Sequence, residues 1–149
     1  MIILRQKAPE IIELGDDVIL EKAGYGIIAK LLRNIKSIRK EQDKLLIYNV
    51  RMKEESIGFI QIYEEVPEEV LNITWLYIKP KYEGNHYATR VMKAIINKAK
   101  ELGYRKLTLE VPIGSPNARH IYEKLGFIAV KEIKDETWGK LTAMEKKLD

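Results

Sequence analysis

The sequence predicts a mixed α/β (α+β) fold in which helices cover both faces of a central sheet. Two observations support this prediction. The first half of the chain contains apolar runs separated by polar turns, as expected for antiparallel strands. In the second half, apolar strands alternate with segments whose apolar residues recur at helical spacing. Strands followed by strand–helix–strand units favour one sheet with helices on its two faces.

The composition is that of an ordinary folded protein. The chain has 149 residues, of which 46% are hydrophobic and 32% are charged, so we expect one domain over residues 1–149. It has no cysteine and only two histidines, which excludes disulfides and a cysteine nucleophile, and we expect no metal. No signal-peptide pattern or membrane-length apolar run is present, so we expect a cytoplasmic protein that makes no membrane contact.

The charge pattern argues against a nucleic-acid partner. The formal net charge is +4, and the densest basic stretch lies within residues 30–44. The chain also has 22 acidic residues, four of them clustered between positions 64 and 69. Nucleic-acid-binding proteins concentrate basic charge beside aromatic or groove-reading elements, so we interpret residues 30–44 as a solvated helix face.

The first half is expected to contain four strands and one helix. Apolar residues at helical spacing predict the helix, and short apolar runs bounded by turn residues predict the strands. The predicted elements are a strand at 17–22, a helix at 25–40, a hairpin of strands at 45–52 and 57–63, and a strand at 71–78.

The second half is expected to alternate between helices and strands. A helix at 86–102 ends at Gly103, and a second helix begins with Ser115 as N-cap and Pro116 in its first turn, and ends at Gly126. Strands are predicted at 106–111, 127–133 and 141–147.

The most informative segment leads from the strand at 71–78 into the helix that follows His86. Pro80 bounds the turn between them and Gly84 lies within it. A strand that runs into a helix N-terminus leaves several main-chain N–H groups unpaired. Together with the helix dipole they form an anion site suited to phosphate.

With the later helix, this segment resembles the GNAT superfamily of N-acetyltransferases, which use acetyl-CoA. In that family a loop written Arg/Gln-x-x-Gly-x-Gly/Ala follows a strand ending in Val-x-Pro. A later helix carries Asn-x-x-Ala-x-x-Leu-Tyr and ends in Gly-Phe. The matching residues, between about positions 71 and 127, are Pro80, Tyr82, Gly84, Ala88, Ala118, Ile121, Tyr122, Gly126 and Phe127.

Three positions depart from the family pattern, all on the cofactor side of the site. Glu83 stands where Arg or Gln is usual, and His86 stands where the family has its central glycine. Ser115 heads the second motif in place of Asn, with Asn117 close by. We expect main-chain N–H groups to bind the phosphates, and this binding does not depend on side-chain identity.

The resemblance implies a mostly antiparallel sheet of six to seven strands and acetyl-CoA as co-substrate. The pantetheine arm would pair with the strand edge at 76–78, where the strands splay apart. The implied cofactor-binding residues are Leu76, Tyr77, Ile78, Glu83, Gly84, Asn85, His86, Tyr87, Ala88, Thr89, Ser115 and Asn117.

The resemblance also implies that a primary amine, on a small molecule or a peptide, attacks the thioester directly. Tyr122 matches the family's tyrosine that protonates the CoA thiolate, and a phenol with a pKa near 10 is protonated at neutral pH. The base stays open: some family members place Glu where this chain has Asn72, and the alternatives are Glu64, Glu110, or water alone for an amine of low pKa.

A second class of function is a catalytically silent acyl-CoA-binding or protein-interaction module, which the departures at Glu83, His86 and Asn72 motivate. A dinucleotide-binding oxidoreductase is disfavoured because Gly-x-Gly-x-x-Gly is missing.

An exposed edge strand near the C-terminus would permit a homodimer. We interpret Trp75 and Tyr77 as residues that pack against neighbouring strands, with a place for one of them in the wall of the acceptor pocket as the alternative. We interpret Trp138 as a hairpin packing residue.

Overall fold

The computed structural model describes residues 3–24 and 43–149. The predicted helix at 25–40 therefore lies outside the described residues. In chain order the elements are α1 (Leu4–Lys7), β1 (Ile11–Gly15), β2 (Val18–Lys22), β3 (Leu45–Met52), β4 (Glu55–Val66), β5 (Val70–Ile78), a 3-10 helix (Pro80–Tyr82), α2 (Tyr87–Glu101), β6 (Lys106–Pro112), α3 (Pro116–Lys124), β7 (Ile128–Asp135) and β8 (Gly139–Lys147).

The described strands form one sheet in the order β1-β2-β3-β4-β5-β6-β8-β7. Every neighbouring pair is antiparallel except β5 and β6, which α2 connects as a parallel crossover. This confirms the mixed, mostly antiparallel sheet. The expected six to seven strands fall short of the eight in the described part of the chain.

Strand β1, like α1 and the 3-10 helix, is an element that the sequence pattern did not predict. It is a five-residue edge strand with no buried side chain, so it has little of the apolar signal by which strands are recognised. It depends instead on tertiary contacts. The Arg90 side chain of α2 donates hydrogen bonds to the carbonyl oxygens of Leu14 and Gly15 at 2.9 and 2.8 Å.

The core lies between the sheet and α2. The α2 helix buries Val91, Met92 and Ile95 against strand residues such as Ile60 and Leu107. Helices α2 and α3 are followed by the glycines predicted to end them. Gly103 and Gly126 have φ of 90° and 97°, the left-handed conformation that follows a helix C-terminus. The core therefore holds the N-terminus of α2, where the loop that follows β5 ends, against a rigid sheet.

Strands β5 and β6 diverge part-way along their length. They pair only from Val70 with Lys106 to Ile73 with Leu109. Beyond that point β5 stays on β4, with which it pairs as far as Ile78. A bulge at Thr74 interrupts the β4–β5 register where the divergence begins, and bulges increase local bending and twist. The edge of β5 that would face β6 is therefore open beyond Ile73.

Gly58 of β4 allows this end of β5 to lie close to its neighbour. A Cβ atom at position 58 would lie 2.1 Å from the carbonyl oxygen of Tyr77 and 3.0 Å from Cα of Ile78. Any side chain here would push β5 outward, so glycine maintains the strand geometry at the entrance to the loop.

Candidate active site

The loop between β5 and α2 presents a row of main-chain N–H groups. Gly84 has φ of 80° and His86 has φ of 62°, and the first helical hydrogen bond runs from Arg90 N to His86 O at 3.0 Å. Within the described part of the chain, the amides of residues 84–89 donate to no main-chain acceptor. With the dipole of a 15-residue helix behind them, these amides form an anion-binding cradle.

His86 adopts the backbone conformation for which glycine is best suited. As the N-cap of α2 it has φ 62° and ψ 17°, in the left-handed region. A side chain in this region costs on the order of 1 kcal/mol relative to glycine. The family pattern has its central glycine at this position, so the backbone requirement is retained although the residue type is not.

The loop cleft, as we call the cavity beside this cradle, measures about 720 Å³. Its walls come from the loop, from the first turns of α2 and from one face of α3. They carry four basic or imidazole side chains and one carboxylate, which are His86, Lys93, His120, Lys124 and Glu83. The cleft is thus suited to a multiply charged anion.

Lys93 and Lys124 were not among the residues predicted from sequence. The signal that indicates them is helical spacing. Lys93 lies four residues after Thr89, and Lys124 lies seven after Asn117, so each shares a helix face with a predicted residue. The loop motif alone does not indicate which faces of the two neighbouring helices line the cleft.

A second cavity of about 560 Å³, the strand cleft, occupies the gap between the diverging strands. Thr74, Trp75 and Leu76 line it from β5, and Glu110, Val111 and Pro112 from β6. Helix α3 contributes Ala118 and Tyr122, and Ala118 borders the loop cleft as well. The two cavities therefore meet at α3.

Tyr122 lines the strand cleft from α3. Its ring packs edge-on against Phe127 with centroids 6.0 Å apart, and burial raises the pKa of its hydroxyl above the ordinary value of 10.0. A raised pKa keeps the phenol protonated over a wide pH range, so it can donate a proton.

The predicted cofactor residues divide between the two cavities. The loop cleft is lined by Ile78, Glu83, Gly84, His86, Tyr87, Ala88, Thr89 and Asn117, and the strand cleft by Leu76 and Ser115. Tyr77 and Asn85 line neither, because Tyr77 packs on Phe59 at 5.7 Å and the Asn85 side chain donates to the carbonyl oxygens of Tyr82 and Glu83. Ser115 precedes α3 as predicted, but its side chain makes no capping hydrogen bond.

The two candidate bases occupy different environments. Glu110 is exposed and lines the strand cleft with Tyr122. Glu64 is buried and lines neither cavity, since its carboxylate accepts hydrogen bonds from the Tyr104 hydroxyl and the Glu68 amide. Lys7 lies 4.0 Å from the same oxygen. Glu64 is therefore held by contacts outside both cavities, and Glu110 is the candidate carboxylate that shares a cavity with Tyr122.

Trp75 lines the strand cleft, which is the alternative left open for it, whereas Trp138 differs from its interpretation as a hairpin packing residue. Their side chains are 48% and 59% exposed, and both line the strand cleft. Their rings meet edge-to-face with centroids 5.8 Å apart. Strand periodicity did not indicate this pair, because the bulge at Thr74 shifts the alternation of β5 and Trp138 comes from the distant β7–β8 turn.

In residues 3–24 and 43–149 there is no group of three or more His, Asp or Glu side chains placed to hold a metal ion. In the same part of the chain, no helix has the length and apolar character needed to cross a membrane.

Comparison with known proteins decides the family. The model of the acetyltransferase (GNAT) family matches residues 20–127. The chain belongs to this family. As a GNAT-family protein it is 31% identical over 85 residues to the uncharacterized N-acetyltransferase YycN of Bacillus subtilis (strain 168). That match covers 54% of each chain, so the chain spans about half the length of the curated relative it matches.

Solved GNAT structures share the fold over nearly the whole chain. A GNAT family acetyltransferase from Elizabethkingia anophelis with acetyl-CoA bound has a TM-score of 0.71 at 17% identity, covering 90% of this chain and 100% of the other. Spermidine N-acetyltransferase from Vibrio cholerae, in complex with CoA and spermine, has a TM-score of 0.71 at 16% identity, with coverages of 90% and 97%. At these identities the similarity concerns the fold.

Proposed function

We propose that this protein transfers the acetyl group of acetyl-CoA to a primary amine by direct attack of the amine on the thioester. The observation that carries the proposal is the meeting of two cavities at α3. One is lined by free main-chain amides and basic side chains, and the other lies between the diverging strands and contains Tyr122. A molecule with a diphosphate at one end and a thioester at the other fits this arrangement.

The loop cleft would hold the charged end of acetyl-CoA. The amides of residues 84–89 would donate hydrogen bonds to its diphosphate, and Lys93 and Lys124 would offset further phosphate charge. The open edge of β5 between Leu76 and Ile78 would pair with the pantetheine amides, as a further strand would. Support comes from the structural neighbours solved with acetyl-CoA, or with CoA and spermine.

The strand cleft would hold the reacting groups. The neutral amine attacks the carbonyl carbon, the C–N bond forms, and the C–S bond of the tetrahedral intermediate breaks. Tyr122 donates its proton to the departing CoA thiolate and recovers one from solvent. Glu110 takes the proton that the nitrogen loses, directly or through water, and we assign it as the base because it lines the same cavity as Tyr122.

Release of free thiol from acetyl-CoA over a panel of primary amines tests the proposal. We expect amine-dependent release with at least one class of amine, above the slow hydrolysis measured without amine. The panel should contain an alkyl monoamine, an aromatic monoamine, a polyamine and a short peptide with a free N-terminus. Isothermal titration with CoA separates the alternative: saturable binding without thiol release over the whole panel would favour a catalytically silent CoA-binding module.

A homodimer stays a prediction. The outer strand β7 leaves Ile128 and Val130 63% and 53% exposed on an edge strand. An exposed apolar edge of this kind can pair with a second copy. Native mass spectrometry with and without CoA would measure the oligomeric state.

A further inference from the structure

The chain has two tryptophans, and both line the strand cleft. Large aromatic side chains contribute most to folding stability when they are buried. A pair that is left about half exposed is therefore a surface available for binding. The two rings make an edge-to-face contact with each other. They form one aromatic surface on the wall of the cleft that also contains Tyr122 and Glu110.

This surface is held by rigid elements. Trp75 follows the bulge at Thr74 on a strand whose other edge pairs with β4. Trp138 lies in the turn between β7 and β8, where Oδ1 of Asp135 accepts hydrogen bonds from the amides of Thr137 and Trp138, both at 2.8 Å. The aromatic surface is therefore preorganised, which lowers the entropic cost of binding a flat group.

The charges around the rings favour an acceptor with a single ammonium group. No Lys or Arg of the described residues lines the strand cleft, and its carboxylates are Glu110 and Asp135. Asp135 already accepts two main-chain hydrogen bonds through one of its oxygens. Glu110 is therefore the carboxylate best placed to attract an ammonium ion beside the aromatic surface.

A third cavity shares Asn72, Leu109 and Glu110 with the strand cleft. Its other carboxylates are engaged: Glu145 pairs with Lys106 at 3.4 Å, and Glu65 accepts a hydrogen bond from Thr108 at 2.7 Å. Lys131 also lines it. A second or third ammonium group of a polyamine would meet Lys106 and Lys131 here, beside one carboxylate held in an ion pair and another that accepts a hydroxyl hydrogen bond.

From these contacts we infer that the acceptor is a primary monoamine with a flat aromatic body. The body lies against Trp75 and Trp138, and the ammonium group approaches Glu110. This inference rests on the proposed function, because it names the acceptor class of the same site. It makes the tryptophan pair the determinant of acceptor specificity, separate from the groups that move protons.

Tryptophan fluorescence reports on this site directly, because both tryptophans of the chain line the cleft. With CoA present, phenethylamine is expected to change the emission saturably. Butylamine, which has the same charge without the ring, and spermidine should require about tenfold higher concentrations. Similar midpoints for the three amines would overturn the inference.

The variant Trp138→Ala tests the aromatic surface in the turnover assay. Trp138 is exposed, so the fold should persist. We expect KM for phenethylamine to rise about five- to tenfold, with KM for butylamine and for acetyl-CoA unchanged. Ile113→Ala, which removes an exposed apolar side chain that lines neither cleft, is the matched control and should change none of these values.

The two proposals fail differently. If thiol is released but spermidine is the better acceptor and Trp138→Ala has no effect, the monoamine inference is wrong while the acetyltransferase function stands. If phenethylamine changes the fluorescence selectively but no amine releases thiol, the proposed function is wrong while the ligand specificity stands.

Discussion

Ile73 of β5 and Leu109 of β6 form the last residue pair of the parallel ladder. One residue farther along, Thr74 and Glu110 already line a cavity. The candidate site thus begins where sheet pairing ends, because an open strand edge provides both space and unpaired main-chain groups. Pairing of β5 with β4 on its other edge keeps the opening in place.

Replacing Gly58 with alanine is expected to disturb this geometry. The new Cβ would lie 2.1 Å from the Tyr77 carbonyl oxygen, so β5 must shift near Ile78. We expect Gly58→Ala to lower the free energy of unfolding by about 1–3 kcal/mol and to raise KM for acetyl-CoA. Urea denaturation and the thiol-release assay measure the two effects. Gly24→Ala is the control, since no atom of the described residues lies within 4 Å of a Cβ at that position, and equal stability of the two variants would contradict this account.

Tyr122→Phe is expected to lower kcat by about 10²-fold or more, because the proton donor for the thiolate is lost. The dissociation constant for CoA should stay within twofold of the wild type, since phenylalanine retains the packing on Phe127. Burial raises the pKa of Tyr122, so kcat of the wild type should not fall through its ionisation below a pH of about 10. Tyr104→Phe removes a phenol that lines neither cleft and should leave turnover per folded molecule intact. A change in CoA affinity with unchanged kcat would contradict the assigned role.

Substitutions at His86 separate the role of the backbone from that of the imidazole. His86→Gly suits φ of 62°, so CoA affinity and stability should be unchanged or slightly higher. His86→Val places a β-branched residue in the same conformation and should cost about 1–2 kcal/mol of stability and weaken CoA binding. Titration calorimetry with CoA and thermal unfolding measure both. A tenfold loss of affinity in His86→Gly would instead identify the imidazole as a phosphate ligand.

Lys93→Gln is expected to raise KM for acetyl-CoA several-fold with little change in kcat, because Lys93 lines the loop cleft and not the strand cleft that contains Tyr122 and Glu110. Its effect should shrink as salt concentration rises, since the interaction is between charges. Lys100→Gln, an exposed lysine on the same helix that lines neither cleft, is the matched control. Equal effects of the two variants would show that KM for acetyl-CoA depends on the net charge of the protein and not on the position of Lys93.

Stability should decrease at alkaline pH because of two buried tyrosines. Burial raises the pKa of Tyr48, and burial followed by the hydrogen bond to Glu64 raises the pKa of Tyr104. Below a pH of about 10 both are protonated in the folded and unfolded states and their stabilising effect is complete. As pH rises further the unfolded chain loses these protons first, so the free energy of unfolding falls.

The variant Tyr104→Phe tests this assignment. Between pH 10 and 11 we expect the wild type to lose about 1 kcal/mol more stability than Tyr104→Phe, measured by urea denaturation at each pH. The comparison uses the change between the two pH values, so the hydroxyl hydrogen bond that the variant lacks at both cancels. Parallel stability curves would show that Tyr104 does not contribute.

Local sequence signals predicted the elements whose own residues carry enough information. Strand β3 matches its predicted bounds because a continuous apolar run is flanked by polar turns. Helix α2 was predicted within one residue at each end, because it has a strong apolar face and a glycine after its last turn. Strand β1 lacked such a signal, since its pairing with β2 and the hydrogen bonds from Arg90 stabilise it rather than burial.

The site was predictable only where it follows a contiguous motif. The loop amides and Tyr122 lie on segments with recognisable spacing, whereas Lys93 and Lys124 required knowledge of which helix faces meet. The surroundings of Glu64 and of the two tryptophans depend on residues far away in the chain. A buried carboxylate and an exposed one look alike in a strand pattern until the neighbouring strands are in place.

The sequence by itself determined the alternating elements, the helix ends and the loop that leads into α2, because these depend on interactions among residues within a few positions of one another. Tertiary structure alone decided where β5 leaves β6, which carboxylate reaches the cleft and that Trp75 meets Trp138. Those features depend on a bulge, a close approach at Gly58 and the packing of distant segments, which local periodicity does not encode.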